Sequence, residues 1–148
     1  MNARFFFPFI VAFCLAGCAT PQVNTASGRP EVMVHGETIA QVRNVVVNHF
    51  VDRGFAPVST EGSQLIFEHE GSFGQSFAMG LLTNEPQSKV RITVTLVESE
   101  SGAVRIVGGA ALLGQSTFGR TQSVELSGKG YQQLQKELEA IKDQAEGG

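Results

Sequence analysis

The stretch KVRITVTLVE, residues 89–98, carries an aliphatic side chain at every second position from Val90 to Leu96. The positions between them hold one arginine and two threonines. Because successive side chains of a β-strand point to opposite faces of the sheet, this alternation predicts a strand with one buried and one solvated face. One-sided strands are typical of antiparallel sheets, whose apolar face has to be covered by a second layer.

Shorter strands are predicted on both sides of this stretch, because β-branched and aromatic residues cluster there between turn residues. The pair Gly108-Gly109 lies inside one of them and predicts a bulge or a sharp bend. The predicted strands cover residues 32–34, 55–59, 64–70, 103–113 and 121–126.

Two amphipathic helices are predicted, one before and one after the main group of strands. Apolar residues recur at helical spacing over residues 39–53, and Thr38 with Gln41 has the form of a capping box. Val45, Val46 and Val47 favour a strand instead, but the length and the polar face of the segment favour a helix. The second helix has Ser127 as its expected N-cap and is expected to fray over residues 144–148. Its apolar face carries Tyr131, Leu134, Leu138 and Ile141.

These elements predict an α+β domain over residues 32–148. Its antiparallel sheet has four to five strands, and an N-terminal and a C-terminal helix pack on it in a helix-grip-like arrangement. The same strands also fit a small β-barrel or a sandwich with peripheral helices. The helix-grip-like arrangement has an open sheet, whereas the sheet of a barrel closes on itself.

Residues 42–70 run from a helix through Arg53-Gly54-Phe55 and a turn into Leu65-Ile66-Phe67. This segment resembles the start of the helix-grip repeats in the C-type lipoprotein of the outer-membrane β-barrel assembly machinery. The resemblance implies protein interaction rather than catalysis.

The N-terminal segment is typical of a secretory signal, because Arg4 precedes an apolar run over residues 5–16 that is too short to span a bilayer. The run ends in LAGC, residues 15–18, which resembles the lipobox of bacterial lipoproteins. The resemblance implies that Cys18 is diacylated, that residues 1–17 are removed, and that the new amino terminus is acylated. Two other interpretations are an ordinary secretion signal with an accidental cysteine and an uncleaved membrane anchor.

Under the lipoprotein interpretation, residues 18–31 comprise the lipidated cysteine and a flexible tether rich in Thr, Pro, Asn, Ser and Gly. Ala19 follows the cysteine, and members of this family stay at the inner membrane mainly when aspartate stands there. We therefore expect an outer-membrane location, with the domain facing the periplasm and the lipid on Cys18 as its membrane contact. Cys14 would be discarded with the signal, so no disulfide is expected.

The charge of the chain argues against nucleic acid as a partner. Eleven basic and fourteen acidic residues give a net charge of −3, and loss of Arg4, the one charged residue of the signal, would make it −4. These charges are spread along the chain and form no basic stripe. The length is that of one domain, which is large enough to fold without disulfides.

No residue pattern predicts catalysis, a cofactor or a metal site. Residues 74–78 (GQSFA) approach a nucleophile elbow but lack its second glycine. Residues 128–130 (GKG) are a common helix entry without the strand-linked signature of a phosphate-binding loop. His35, His49 and His69 have no metal-ligand spacing. In a strand, Glu68 and Glu70 would form a solvated carboxylate pair on the face opposite His69. His49 of the first helix is expected to be a boundary residue rather than a base. We expect a protein that is not an enzyme.

The segment GSFGQSFAMGLL, residues 71–82, is unusually apolar for a connection between strands, and Phe118 lies in a similar sequence. It is either a lid over the core or an exposed patch that receives a partner, a lipid tail or a small apolar ligand. The candidate contact residues are Phe73, Phe77, Met79, Leu81, Leu82 and Phe118.

These features favour a non-enzymatic binding or assembly accessory of the cell envelope. It would engage another envelope protein through a sheet edge or through residues 71–82. The alternative is a periplasmic carrier of a small apolar or lipid ligand held between sheet and helix. A cavity lined by Phe67, Val94, Ile106 and Leu138 would favour the carrier.

Overall fold

A computed structural model describes residues 23–70, 89–115, 121–126 and 128–147 as an α+β structure. The predicted fold class is confirmed, with six strands in the described chain rather than four or five. The elements are β1 (Glu31–Val34), α1 (Ile39–Asp52), β2 (Ala56–Ser59), β3 (Gln64–Glu70), β4 (Lys89–Glu98), β5 (Val104–Gln115), β6 (Thr121–Glu125) and α2 (Lys129–Glu146).

The six strands form one open antiparallel sheet in the order β1-β5-β4-β3-β2. β6 lies on the same side of β5 as β1, because β1 pairs with residues 104–107 of β5 and β6 pairs with residues 111–115. The sheet therefore does not close on itself, which excludes the alternative of a closed barrel. α1 connects β1 to β2, the strands at opposite edges.

The N-terminus of α1 is the predicted capping box. The Thr38 side chain accepts a hydrogen bond from the backbone N–H of Gln41, and the Gln41 side chain accepts one from the backbone N–H of Thr38. Both bonds satisfy backbone donors that the first turn of a helix leaves unpaired. The chain leaves the helix through Gly54, whose φ of 83° is a conformation that favours glycine.

Both predictions for the ends of α2 are wrong. The N-cap is Gly128, whose φ is 58°, so Ser127 is not the cap residue. The helix continues to Glu146 instead of fraying from Gln144. Packing explains this end, because Ala145 is buried and the Glu146 carboxylate accepts a hydrogen bond from the backbone N–H of His35 at 2.9 Å.

The predicted bulge at Gly108 and Gly109 is absent, since the register between β4 and β5 runs through both glycines without a shift. Gly108 is instead a point of close approach between sheet and helix. A Cβ atom at this position would lie 2.9 Å from Cδ2 of Leu134, a distance that real Cβ atoms do not adopt. The glycine therefore allows α2 to pack directly on β5.

One hydrophobic core lies between the sheet and the two helices. Phe50 of α1 meets Phe67 of β3 with ring centroids 5.0 Å apart, and Leu134 and Leu138 of α2 have no exposed surface. The alternation predicted for residues 89–98 is confirmed. Val90, Ile92, Val94 and Leu96 are buried, while the residues between them are partly exposed on the opposite, open face.

The described part of the predicted tether, residues 23–30, is bonded to the domain. Gly28 donates a backbone hydrogen bond to Thr25, and the carbonyl of Pro30 accepts one from Gly108 at 2.7 Å. Val23 is 9% exposed. This segment is therefore a folded turn beside the sheet.

Candidate functional site

The residues predicted to contact a partner lie outside the described residues. These are Phe73, Phe77, Met79, Leu81, Leu82 and Phe118, and the predicted lipidation site, Cys18, also lies outside the described residues. The structure instead locates the positions at which their segments join the sheet.

The two connections that carry the predicted contact residues join the sheet at the same end. Glu70, the last residue of β3, is in register with Lys89, the first residue of β4, and residues 71–88 connect them. Gln115 of β5 and Thr121 of β6 are paired in the same way around residues 116–120. Lys89 also lies opposite Leu113, two residues before Gln115. This end, defined by Glu70, Lys89, Gln115 and Thr121, is termed the loop end of the sheet.

Ion pairs between β3 and β4 approach the loop end on the open face. Nζ of Lys89 lies 2.6 Å from the Glu70 carboxylate, and Arg91 donates to Glu68 through Nε at 2.9 Å and Nη2 at 2.5 Å. The hydrogen bond from Lys89 lowers the pKa of Glu70, and Glu70 in turn raises the pKa of Lys89. Their side chains are 77% and 44% exposed, so water screens the pair and it contributes little stability.

The two glutamates do share the face opposite His69, as expected. Each carboxylate also has its own cation on β4, which the expectation of a solvated pair did not include. His69 points to the helix face and packs edge-on against Phe55 at 5.5 Å. Among the described residues, no three His, Cys, Asp or Glu side chains are grouped so that they could hold a metal ion.

An apolar side chain is exposed on the helix face near the loop end. Val124 of β6 is 61% exposed, the highest value for a large aliphatic side chain in the described residues, and it lies opposite Leu112 of β5. Elsewhere on this face the helices cover the aliphatic residues. The apolar surface therefore extends beyond the part of the sheet that the helices bury.

A polar cluster joins the N-terminal segment, β6 and α2. One carboxylate oxygen of Glu125 accepts a hydrogen bond from the Tyr131 hydroxyl at 2.5 Å and contacts Nη2 of Arg29 at 3.1 Å. Burial and the neighbouring carboxylate raise the pKa of Tyr131 to about 12. The phenol therefore stays protonated at neutral pH and keeps its role as the donor.

The most deeply buried polar group is a histidine between the two helices. The His49 side chain has no exposed surface, and its Nε2 lies 2.8 Å from the carboxylate of Glu137 on α2. Nδ1 lies 3.3 Å from the side-chain oxygen of Gln144, and Nε of Arg53 contacts the same Glu137 oxygen at 2.8 Å. The hydrogen bond from His49 is the main cause of the lowered pKa of Glu137.

The expectation that His49 is a boundary residue is therefore wrong, because its side chain is buried. The residue lies seven positions after Val42 and three after Val46, both buried, so the helical period already put it on the buried face. What the sequence did not reveal is its partner, which lies 88 residues away. Because no surface of this imidazole is accessible, it is suited to joining the helices and not to reacting with a substrate.

The two glycines at the start of α2 have structural explanations. A Cβ atom at Gly130 would lie 3.2 Å from Cβ of Leu126, so a side chain there would press on the core. Gly128 supplies the positive φ of the N-cap. The residues of the second weak motif, 74–78, lie outside the described residues.

The residues expected to line a carrier cavity are packed in the core. Phe67, Val94, Ile106 and Leu138 are each fully buried members of the single hydrophobic cluster. At Gly108, next to this group, α2 and β5 are too close to admit one methyl group. The helix and the sheet are therefore in direct contact at that point.

None of the helices in the described residues is both long enough and apolar enough to cross a membrane. No protein-family model matches the chain, and no curated protein or solved structure is significantly similar to it.

Proposed function

We propose that this chain is an outer-membrane lipoprotein, anchored through lipid on Cys18 and facing the periplasm. Its function would be that of a non-enzymatic binding or assembly accessory of the cell envelope. The observation that carries the proposal is the loop end of the sheet. The connection over residues 71–88, which begins with an unusually apolar stretch, and the connection over residues 116–120, which contains Phe118, both join neighbouring strands there.

The loop end suits a binding surface because a rigid sheet holds both attachment points. β4 and β5 stay in register over ten residue pairs, up to Lys89 opposite Leu113. Functional segments of proteins are commonly carried in this way on a stable scaffold. The exposed Val124 adds apolar surface beside the attachment points.

Other polar features are accounted for by structural contacts, which supports a role without catalysis. His49 and Glu137 join the helices, and Glu68 and Glu70 form ion pairs across the open face. The glycines at 128 and 130 serve the start and the packing of α2.

We also propose a helix-grip relation between the sheet and α2. The helix is 18 residues long, and its Leu134, Leu138 and Ile141 are fully buried against the sheet. It follows β1 closely, since Gln135 and Lys142 both bind backbone groups of that strand.

The carrier alternative requires space between α2 and the sheet. The contact between Gly108 and Leu134 argues against such space at the centre of the interface. A ligand would have to separate packed elements or bind at the loop end instead. The accessory function is therefore the better supported of the two.

Site-specific photo-crosslinking in cells tests this function. A photoreactive residue placed at position 73, 77 or 79 should capture the same envelope protein, identified by mass spectrometry. The matched control is position 58, because Val58 is 56% exposed but lies on β2, away from the loop end. Co-purified lipid without a protein adduct would favour the carrier. If polar substitutions at Phe73 and Phe77 left both binding and cellular function intact, the segment would be a lid over the core.

The proposed anchor would keep the domain close to the membrane. Val23, where the folded turn begins, lies five residues after Cys18, and five residues span at most about 17 Å. A partner would therefore have to be reached within a short distance of the outer membrane.

A further inference from the structure

The outer edge of β1 is closed to other strands. An edge strand exposes backbone N–H and C=O groups that another chain can pair with. Here the side chains of α2 bind these groups, at 2.7–2.9 Å. The side-chain oxygen of Gln135 accepts a hydrogen bond from the backbone N–H of Glu31, and Lys142 donates one to the carbonyl of Met33. The Glu146 carboxylate accepts one from the backbone N–H of His35, which follows the strand.

The β2 edge, at the opposite side of the sheet, is also unsuited to pairing. Pro57 lacks a backbone N–H, and the register with β3 shifts between Pro57 and Ser59. Proline and irregular register are common means of preventing an edge from adding a further strand.

β6 presents an edge without either protection. Leu126 donates its backbone N–H to Ala110 of β5 at 2.8 Å, and hydrogen-bonding direction alternates along a strand. The backbone groups of Thr121, Ser123 and Glu125 consequently point away from β5. In the part of the chain that the structure describes, no residue bonds the outward groups of Ser123 or Glu125.

We propose that β6 pairs through this edge with β6 of a second copy of the chain. The pairing is antiparallel, with its two-fold axis at Ser123. Ser123 then exchanges two backbone hydrogen bonds with its own copy, and Thr121 of each chain exchanges two with Glu125 of the other. This self-association goes beyond the proposed function and does not depend on it.

The composition of the strand favours a second copy as the occupant. In this register Glu125 lies opposite Thr121, and Gln122 lies opposite Val124, so no like charges face each other across the interface. The two Val124 side chains become diagonal neighbours beside the axis, on one face of the joined sheet. Association would thus cover the most exposed aliphatic side chain of the described residues.

Cross-linking of the purified full-length protein in detergent tests the register. Cα atoms of a hydrogen-bonded antiparallel pair lie about 5.5 Å apart, so Ser123→Cys should give a dimer with a short bifunctional maleimide. The matched control is Val58→Cys, which puts an exposed thiol on the closed β2 edge. The proposal is overturned if Ser123→Cys yields no more dimer than Val58→Cys or the unsubstituted chain.

Sedimentation of Ser123→Pro and Ser123→Ala tests the backbone bonds. Proline removes the outward backbone N–H of Ser123, whereas alanine retains it. Because each chain loses one N–H, the proline variant loses two hydrogen bonds per dimer. We expect the dimer dissociation constant to rise roughly tenfold or more for Ser123→Pro relative to Ser123→Ala. Equal constants for the two variants, or a wild-type chain that is monomeric at every concentration, would contradict the pairing. If Ser123→Pro unfolds, the cross-linking result decides.

Discussion

A buried histidine is normally tolerated only when both of its ring nitrogens find partners, because an unsatisfied polar group in the core is costly. His49 meets this condition through Glu137 and Gln144, both on α2. The pair therefore determines how the two helices lie against each other, in addition to the aliphatic contacts around it.

Substitution of Glu137 by Ala should destabilise the domain by about 1–3 kcal/mol, because His49 would stay buried without its carboxylate partner. Urea unfolding followed by circular dichroism measures the change. Glu139→Ala is the matched control, since Glu139 lies on the exposed face of the same helix, and its effect should stay within about 0.5 kcal/mol. Equal effects for the two variants would show that the buried pair is energetically neutral.

The same carboxylate should make stability depend on pH. The folded-state pKa of Glu137 lies below the ordinary 4.5, so its contribution is present above that pH and is lost as the pH falls through the folded-state value. The difference in unfolding free energy between the wild type and Glu137→Gln should therefore shrink from neutral pH to below 4.5. Other acidic groups titrate equally in both proteins and cancel. A difference that stays constant over this range would contradict the assignment.

The neighbouring glycines at 108 and 109 provide a matched pair of variants. A methyl group at Gly108 would press on Leu134 at 2.9 Å, whereas one at Gly109 has no neighbour closer than the Thr93 carbonyl at 4.0 Å. Gly108→Ala should cost about 1–3 kcal/mol through overpacking, and Gly109→Ala much less. Thermal unfolding of both variants measures this. A larger loss for Gly109→Ala would mean that α2 does not contact β5 as described.

At the scale of elements, α2 connects most parts of the fold. Its apolar face packs on the sheet, Glu137 binds α1, and Gln135 and Lys142 bind the edge of β1. One helix thereby covers the core and closes an edge. Loss of its packing should affect the whole domain and not only the helix.

Leu134→Ala and Leu138→Ala should each destabilise the domain by about 2–5 kcal/mol, because both side chains are fully buried. Chemical denaturation measures the loss, with Gln132→Ala on the exposed face as the control. Losses below roughly 1 kcal/mol at both leucines would be incompatible with a packed helix.

At the scale of the whole molecule, the folded turn at residues 23–30 bears on the proposed lipid anchor. Arg29 of this turn reaches Glu125, which Tyr131 of α2 also binds. Together with the hydrogen bond between Gly108 and Pro30 and the burial of Val23, this contact places residues 23–30 against the domain. Its orientation at the membrane would follow from this attachment.

Cys18→Ser should release the protein from membranes into the soluble periplasmic fraction, because no lipid would then be attached. Cys14→Ser is the matched control and should remain in the membrane fraction. Fractionation followed by carbonate extraction measures both. A Cys18→Ser protein that stays with membranes through carbonate extraction would overturn the lipid-anchor proposal.

Local sequence patterns predict the elements of this fold. The alternation over residues 89–98, the capping box at Thr38 and Gln41, and the apolar face of α2 are local patterns, and the structure confirms each of them. The bounds of β3 and β4 agree with the prediction residue for residue. Local patterns suffice here because backbone geometry sets the periods of strands and helices.

The contacts between distant residues, by contrast, follow from the packing of the elements. Four features join positions that are far apart in the chain. They are the contact of His49 with Glu137, the close approach at Gly108, the closure of the β1 edge, and the attachment of residues 71–88 and 116–120 at the same end of the sheet. The predicted bulge and the predicted fraying failed for the same reason, since packing of α2 on the sheet governs both places. Such contacts depend on how the elements are arranged in space, and no local sequence period carries that information.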